Sequence, residues 1–117
     1  MENNYKRGEI YRLNWNAGKG REQVDIRLAL IIQNDIGNKY SPNTIVALMT
    51  TAVSAGNNYP FIVVCSPRDS GMDRMNAIDL ASIMTIPTSM IGDKLGQLSA
   101  AKMLEVNEAI KNSLGLV

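Results

Sequence analysis

The sequence predicts an α+β fold that is rich in β structure: a small, partly closed antiparallel barrel with one helix at its C-terminus. Three observations carry that prediction. Five or six short apolar runs, several of them β-branched, are separated by stretches of Asn, Gly, Ser, Asp and Pro, the pattern of a small β barrel. After Ser99 the period lengthens from two to three and four, with Met103, Val106, Ile110 and Leu114 on one stripe, as an amphipathic helix requires. The chain is 117 residues long, without a repeat or low-complexity tract, and so makes one domain with room for a real core.

The elements follow in order. In RGEIYRLNW, residues 7–15, Tyr11, Leu13 and Trp15 alternate with Ile10, Arg12 and Asn14, predicting a half-buried strand. NAGKGREQVD, 16–25, sets Gly18 and Gly20 around Lys19, a basic glycine-rich loop. Ile26 to Gln33 is mostly apolar and reads as a central strand. NDIGNKYSPN, 34–43, is predicted to be a loop, followed by the strand TIVALMT, 44–50. A second loop, SAGNNYP, leads to the strand FIVVC, and SPRDSGMDRMN is a turn-rich connection. Ala77 to Ile86 is a fifth strand that Pro87 ends. Thr88 to Ile91 is expected to form one helical turn and Lys94 to Leu98 a short last strand. Ser99 is a fitting N-cap for the helix, and Gly115 a fitting C-cap.

Composition excludes several functions. The net charge is +1, so no whole-molecule field marks a nucleic-acid binder, and any anion site must be a local patch. The single cysteine, Cys65, cannot form an intramolecular disulfide, and its apolar setting predicts a buried, inert thiol. No apolar run approaches the roughly 18 residues of a membrane span. MENNYKRGEIY lacks a signal-peptide core, so no membrane association is expected and a reducing cytoplasm is the expected location. Histidine is absent, which removes the commonest general base and metal ligand. Clustered carboxylates are not found either, so neither metal nor cofactor is expected.

One feature of the strands is unusual. Arg27 opens an apolar strand and Thr50 closes the next. An arginine there is costly unless it is paired or faces water. It is either a functional cation or a rim residue paired with Asp25 or Glu22.

Taken together, RGEIY, GREQ, the long block RLALIIQNDIGNKYSPNTIVALMT and the tail IGDKLGQLSAAKMLEVNEAIKNSLGL resemble, in content and order, the MazF/PemK family of toxin endoribonucleases of type II toxin–antitoxin systems. The likeness runs from Lys6 to Leu116. It implies an SH3-like barrel of the CcdB/PemK type that pairs into a homodimer. It also implies metal-independent, sequence-specific cleavage of single-stranded RNA, chiefly mRNA, and neutralisation by a cognate MazE-like antitoxin with an acidic C-terminal segment. The family's catalytic arginine and threonine fall on Arg27 and Thr50.

That chemistry needs no histidine. If the RNA's 2′-hydroxyl attacks the adjacent phosphate, the enzyme has to orient the groups and stabilise charge growing on phosphoryl oxygens. A guanidinium, planar and always cationic, suits that task. Thr50 can donate a hydroxyl hydrogen bond to the same phosphate. Lys19 and Arg21 are candidates for holding RNA phosphates; Glu22 is a candidate helper to Arg27 in moving protons, and Glu22 and Gln23 are counted with the RNA-binding residues. Gln33, Asn34 and Asp35 either read base edges or form a turn by bonding their own backbone, and the turn role is favoured. Trp15, Tyr40 and Tyr59 are candidates for stacking bases.

The chain also departs from the family. Where many members carry EQIRTID, this sequence has ASIMTIP, so Ala81, Ser82, Met84 and Pro87 replace glutamate, glutamine, arginine and aspartate. Leu28 stands where a proline usually follows the arginine. Met84 adds no charge to a groove expected to be cationic, while Asp79 adds an acid that either repels phosphate or pairs with a lysine. Two alternatives therefore stand beside the nuclease: a catalytically weakened member acting through antitoxin pairing and operon repression, and a CcdB-like inhibitor of gyrase.

Overall fold

The structure, a computed structural model, describes residues 3–15, 25–51 and 59–116, with only the backbone described at Trp15, Asp25 and Ile26. Six strands, β1 Glu9–Trp15, β2 Asp25–Ile31, β3 Asn43–Thr50, β4 Ile62–Cys65, β5 Asn76–Pro87 and β6 Ile91–Gln97, form one antiparallel sheet. Their spatial order is β4-β5-β3-β2-β1-β6. Among the described residues there are also three helices, α1 Asp35–Tyr40, α2 Pro67–Ser70 and α3 Ala100–Leu114, and a 3₁₀ turn at Thr88–Met90. Among the described residues no helix is long and apolar enough to cross a membrane.

The sheet buries both faces. On one, Ile10, Leu30, Ala47, Met49, Ile78 and Leu80 pack with Val106 and Ala109 of α3. On the other, Tyr5, Leu13, Ala29, Ile31, Val46 and Ile86 form a second, smaller core. Strand β1 is therefore covered on both sides rather than half-buried. Ile10 and Leu13, three residues apart, point to opposite faces and are 0% and 1% exposed.

Two segments predicted to lack regular structure contain short helices, because their polar residues cap rather than turn. The Asn34 side chain accepts the Gly37 N–H at 2.7 Å and starts α1, which ends at Ser41, before Pro42. Ser66 and Asp69 bond each other's backbone N–H groups in a capping box with Pro67 at the first helical position, and Gly71, at φ 75°, ends α2. Helix α3 ends as expected. Ser99 Oγ accepts the Lys102 N–H at 3.2 Å, and Gly115 takes the left-handed conformation at φ 71°.

Helix α2 joins the two ends of the sheet. It follows β4 directly, and its Asp69 carbonyl accepts the Ser99 N–H at 2.8 Å just beyond β6. Its Ser70 carbonyl lies so close to Gly96 of β6 that a Cβ there would sit 2.2 Å from the oxygen. This seam gives the open sheet its barrel-like enclosure. Cys65, fully buried on β4, has its thiol pushed up to about 11 by desolvation, which makes it a poor nucleophile.

The β3–β5 pairing is interrupted once. From Asn43↔Pro87 to Ala47↔Ile83 the register is continuous; it then jumps to Leu48↔Asp79 and continues to Thr50↔Ala77. Residues 80–82 of β5 form the resulting bulge.

Candidate active site

The β2–β3 ladder runs from Ile31↔Val46 to Leu28↔Met49. One further step along it sets Arg27 opposite Thr50, each still within its strand. Opposed residues of an antiparallel pair share a face, with Cβ atoms roughly 4.5–5.5 Å apart. Ala29 and Leu48, opposed two residues earlier, belong to the second core, so Arg27 and Thr50 close that same face. On its other side Arg27 is opposed by Leu13 of β1, and Thr50 by Ala77 of β5. The guanidinium residue is half-buried and the threonine exposed. The register thus places a cation and a hydroxyl on one face of the sheet, near the start of β2 and at the end of β3.

The other candidates divide. Lys19, Arg21, Glu22 and Gln23 lie outside the described residues, as does the side chain of Asp25. Gln33, Asn34 and Asp35 are tied into α1. Gln33 Nε2 donates to Asn38 Oδ1 at 3.2 Å and to the Asn43 carbonyl at 3.1 Å. Asp35 Oδ1 accepts the Arg7 N–H at 2.7 Å and the Asn38 amide at 3.2 Å. That backbone bond from Arg7, foremost among several contacts, holds the Asp35 carboxyl below its usual range. Asn38, fully buried, also takes the Thr44 hydroxyl at 2.7 Å. Tyr40 is exposed, with the Lys39 ammonium 5.4 Å from its ring centre. Tyr59 stacks on Phe61 and, with Leu104 and Ala109, lines a hollow of about 360 Å³ beside α3, which is a different surface from that of Arg27. The Trp15 side chain is not described. Among the described residues no group of three His, Cys, Asp or Glu is placed to hold a metal ion.

On β5, Met84 is opposite Val46 and half-buried against the second core. Asp79 bonds the Ala81 N–H and the Ser82 hydroxyl, each at 2.9 Å. Sequence reasoning did not anticipate a further cluster on β1 and β6. Glu9, 8% exposed, accepts from Lys94 Nζ at 2.9 Å, from the Tyr11 hydroxyl at 2.9 Å and from the Lys6 N–H at 2.7 Å. The signal for it was the alternation that sets Glu9 and Tyr11 on one face of β1. Burial and the adjacent carboxylate push the Tyr11 phenol up to about 12.

Desolvation works to raise the Glu9 carboxyl, but its three hydrogen bonds and the charge of Lys94 outweigh it and bring the group below the ordinary 4.5. A folded pKa below the unfolded one stabilises the fold above about pH 4.5, and that contribution is lost as the pH falls through the folded value. Glu9→Gln is therefore expected to unfold at lower urea than the parent at neutral pH, with the gap narrowing through the acid range. Urea midpoints at stepped pH check this, and a gap that stays constant refutes it.

Comparisons with known proteins identify the family and the fold. Residues 6–114 match the family described as PemK-like, MazF-like toxin of type II toxin–antitoxin system. The chain is 38% identical over 111 residues to Endoribonuclease MazF of Staphylococcus epidermidis, covering 95% of this chain and 92% of that one. It is 40% identical over the same shares to Endoribonuclease MazF of Staphylococcus saprophyticus. Among solved structures, an endoribonuclease in complex with its cognate antitoxin from mycobacterial species superposes with a TM-score of 0.78 at 25% identity, over 97% of this chain and 98% of that one. A MazE–MazF structure from Deinococcus radiodurans, TM-score 0.75 at 18% identity over 95% and 96% of the two chains, matches in fold. The expected α+β fold is thus the observed one, and the chain belongs to the PemK-like, MazF-like toxins of type II toxin–antitoxin systems.

Proposed function

We propose that this protein is the toxin of a toxin–antitoxin pair and an endoribonuclease that cuts single-stranded RNA without a metal. What supports the reading is the β2–β3 register, whose continuation one step past Leu28↔Met49 brings Arg27 and Thr50 onto one face. Two close relatives bearing the name endoribonuclease support it. In the proposed reaction the 2′-oxygen of the RNA bonds to the neighbouring phosphorus, the bond to the 5′-oxygen breaks, and a 2′,3′-cyclic phosphate and a 5′-hydroxyl result. Arg27 neutralises charge on the non-bridging oxygens as they crowd the phosphorus, and Thr50 donates a hydrogen bond that fixes the phosphate's orientation. Base recognition falls to the segment 16–24.

The partner is an antitoxin whose acidic, unfolded segment takes the place of RNA phosphates and orders as it binds. The working form is a cytoplasmic homodimer. Met84 favours a second reading, a weaker nuclease acting mainly through its antitoxin, because that half-buried methionine brings no cation to the Arg27 face.

The test is a long RNA of known sequence incubated with the protein in EDTA, with mapping of the new ends. Cuts at a short recurring sequence, each leaving a 5′-hydroxyl, are expected. RNA left intact, or cuts leaving 5′-phosphates, would overturn the reading. Intact RNA together with normal growth of cells expressing the protein alone would instead support the weakened toxin.

A further inference from the structure

We infer that Asp79 is a positioning residue for Thr50, acting through the β5 bulge; its catalytic consequence rests on the nuclease reading. Leu48 and Val46, two residues apart on β3, are opposed by Asp79 and Met84, five apart on β5. In an uninterrupted strand, positions five apart would face opposite ways. The three residues 80–82 absorb the difference and swap the faces. Because of that swap Ile78 and Leu80, both fully buried, enter the core beneath α3, while Ala77 and Asp79 share the face of Thr50.

Bulges beside active sites re-aim side chains, and this one has a dedicated clasp. Asp79 Oδ1 accepts the Ala81 N–H and Oδ2 accepts the Ser82 hydroxyl, both at 2.9 Å. From outside the bulge, the Phe61 carbonyl takes the Leu80 N–H at 2.9 Å. Asp79 is also the hinge of the local pairing. It opposes Leu48 on one side and Ile62 on the other, and the segment it ends, 76–79, is gripped by β4 and by the last residues of β3. Loosening the bulge frees Ala77 to shift against Thr50. The carboxylate therefore works through its two hydrogen bonds rather than its charge, and it needs no contact with RNA.

Asparagine keeps both bonds, its oxygen accepting from Ala81 and its amide donating to the Ser82 oxygen, whereas alanine keeps neither. Threonine methyl NMR of the full chain reads the position of Thr50 whether or not the protein cuts RNA. The Thr50 methyl resonance is expected to move in Asp79→Ala, to move less in Ser82→Ala, and to return in Asp79→Asn. In parallel, kcat for RNA cleavage is expected to fall about tenfold in Asp79→Ala with KM nearly unchanged, because misplacing a positioned group costs turnover, and Asp79→Asn restores it. A Thr50 resonance that stays in place in both Asp79→Ala and Ser82→Ala overturns the inference. So does an Asp79→Asn variant as impaired as Asp79→Ala, which would make charge the cause. Failure of the unmodified protein to cut RNA bears on the nuclease reading alone, since the resonance test stands without it.

Discussion

Replacing Arg27 with alanine is expected to lower RNA cleavage by about a thousandfold, the scale of losing one preorganised donor to a developing oxyanion. The residue sits near the start of β2, half-buried, opposed by Leu13 and one step past Met49↔Leu28 in the ladder to β3. The residue is only half-buried, so the variant should fold. What it loses is a planar cation fixed by two neighbouring strands. Lysine is not expected to restore activity, because a single ammonium cannot bond two phosphoryl oxygens in parallel. Thr50→Val, which keeps the shape and deletes the hydroxyl, should cost less, about a hundredfold. Single-turnover cleavage of an RNA containing the preferred site measures both, with a 2′-deoxy substitution at that site as the control that stays uncut. If Arg27→Ala cleaves within about threefold of the parent, a guanidinium does not supply the transition-state stabilisation assumed here.

The two ends of this site were differently legible in the sequence. Strands β1 to β5 announced themselves through alternation or β-branched runs, and α3 through the spacing of Met103, Val106, Ile110 and Leu114 between Ser99 and Gly115; β6 starts at Ile91, three residues before the Lys94 expected, because IGDKLGQ has neither signal. Helices α1 and α2, of six and four residues, are too short to show a period, and their caps, Asn34 and Ser66, are the same residue types that make turns. The bulge was invisible for another reason. Three extra residues in β5 change no local propensity; only the pairing with β3 reveals that Asp79 and Met84 face one way. The pairing of Arg27 with Thr50 is implied by family resemblance alone; the β2–β3 ladder, continued one step past Leu28↔Met49, puts the two on one face. How β6 meets α2 depends on contacts between segments far apart in the chain, which no pattern of single residues encodes.

That seam gives the largest expected effect on stability. Gly96→Ala should destabilise the fold by about 3 kcal/mol, the upper part of the range for forcing atoms into a packed site. Most glycines in strands gain from such a change, since alanine leaves the unfolded chain fewer conformations. Here the sign reverses on steric grounds. Gly96 is not among the glycines with positive φ, so its backbone suits alanine; the obstacle is the Ser70 carbonyl, 2.2 Å from the new Cβ, with Met72 Cγ at 3.3 Å. A methionine side chain can move aside, but a carbonyl of α2 cannot move alone. The Asp69 carbonyl next to it holds the Ser99 N–H, and Gly96 itself lies opposite fully buried Ile10. Relief must come from parting α2 and β6, which loosens the start of α3 as well. Gly115→Ala is the matched control: its Cβ meets nothing within 4 Å but its φ of +71° is strained, so it should cost about 1 kcal/mol. Urea unfolding of both variants decides, with the Gly96→Ala midpoint expected well below that of Gly115→Ala and its Tm lowered on the order of 10 °C. A Gly96→Ala protein as stable as its parent would mean that α2 does not hold the two ends of the sheet together, and with it would go the account of how the sheet is enclosed.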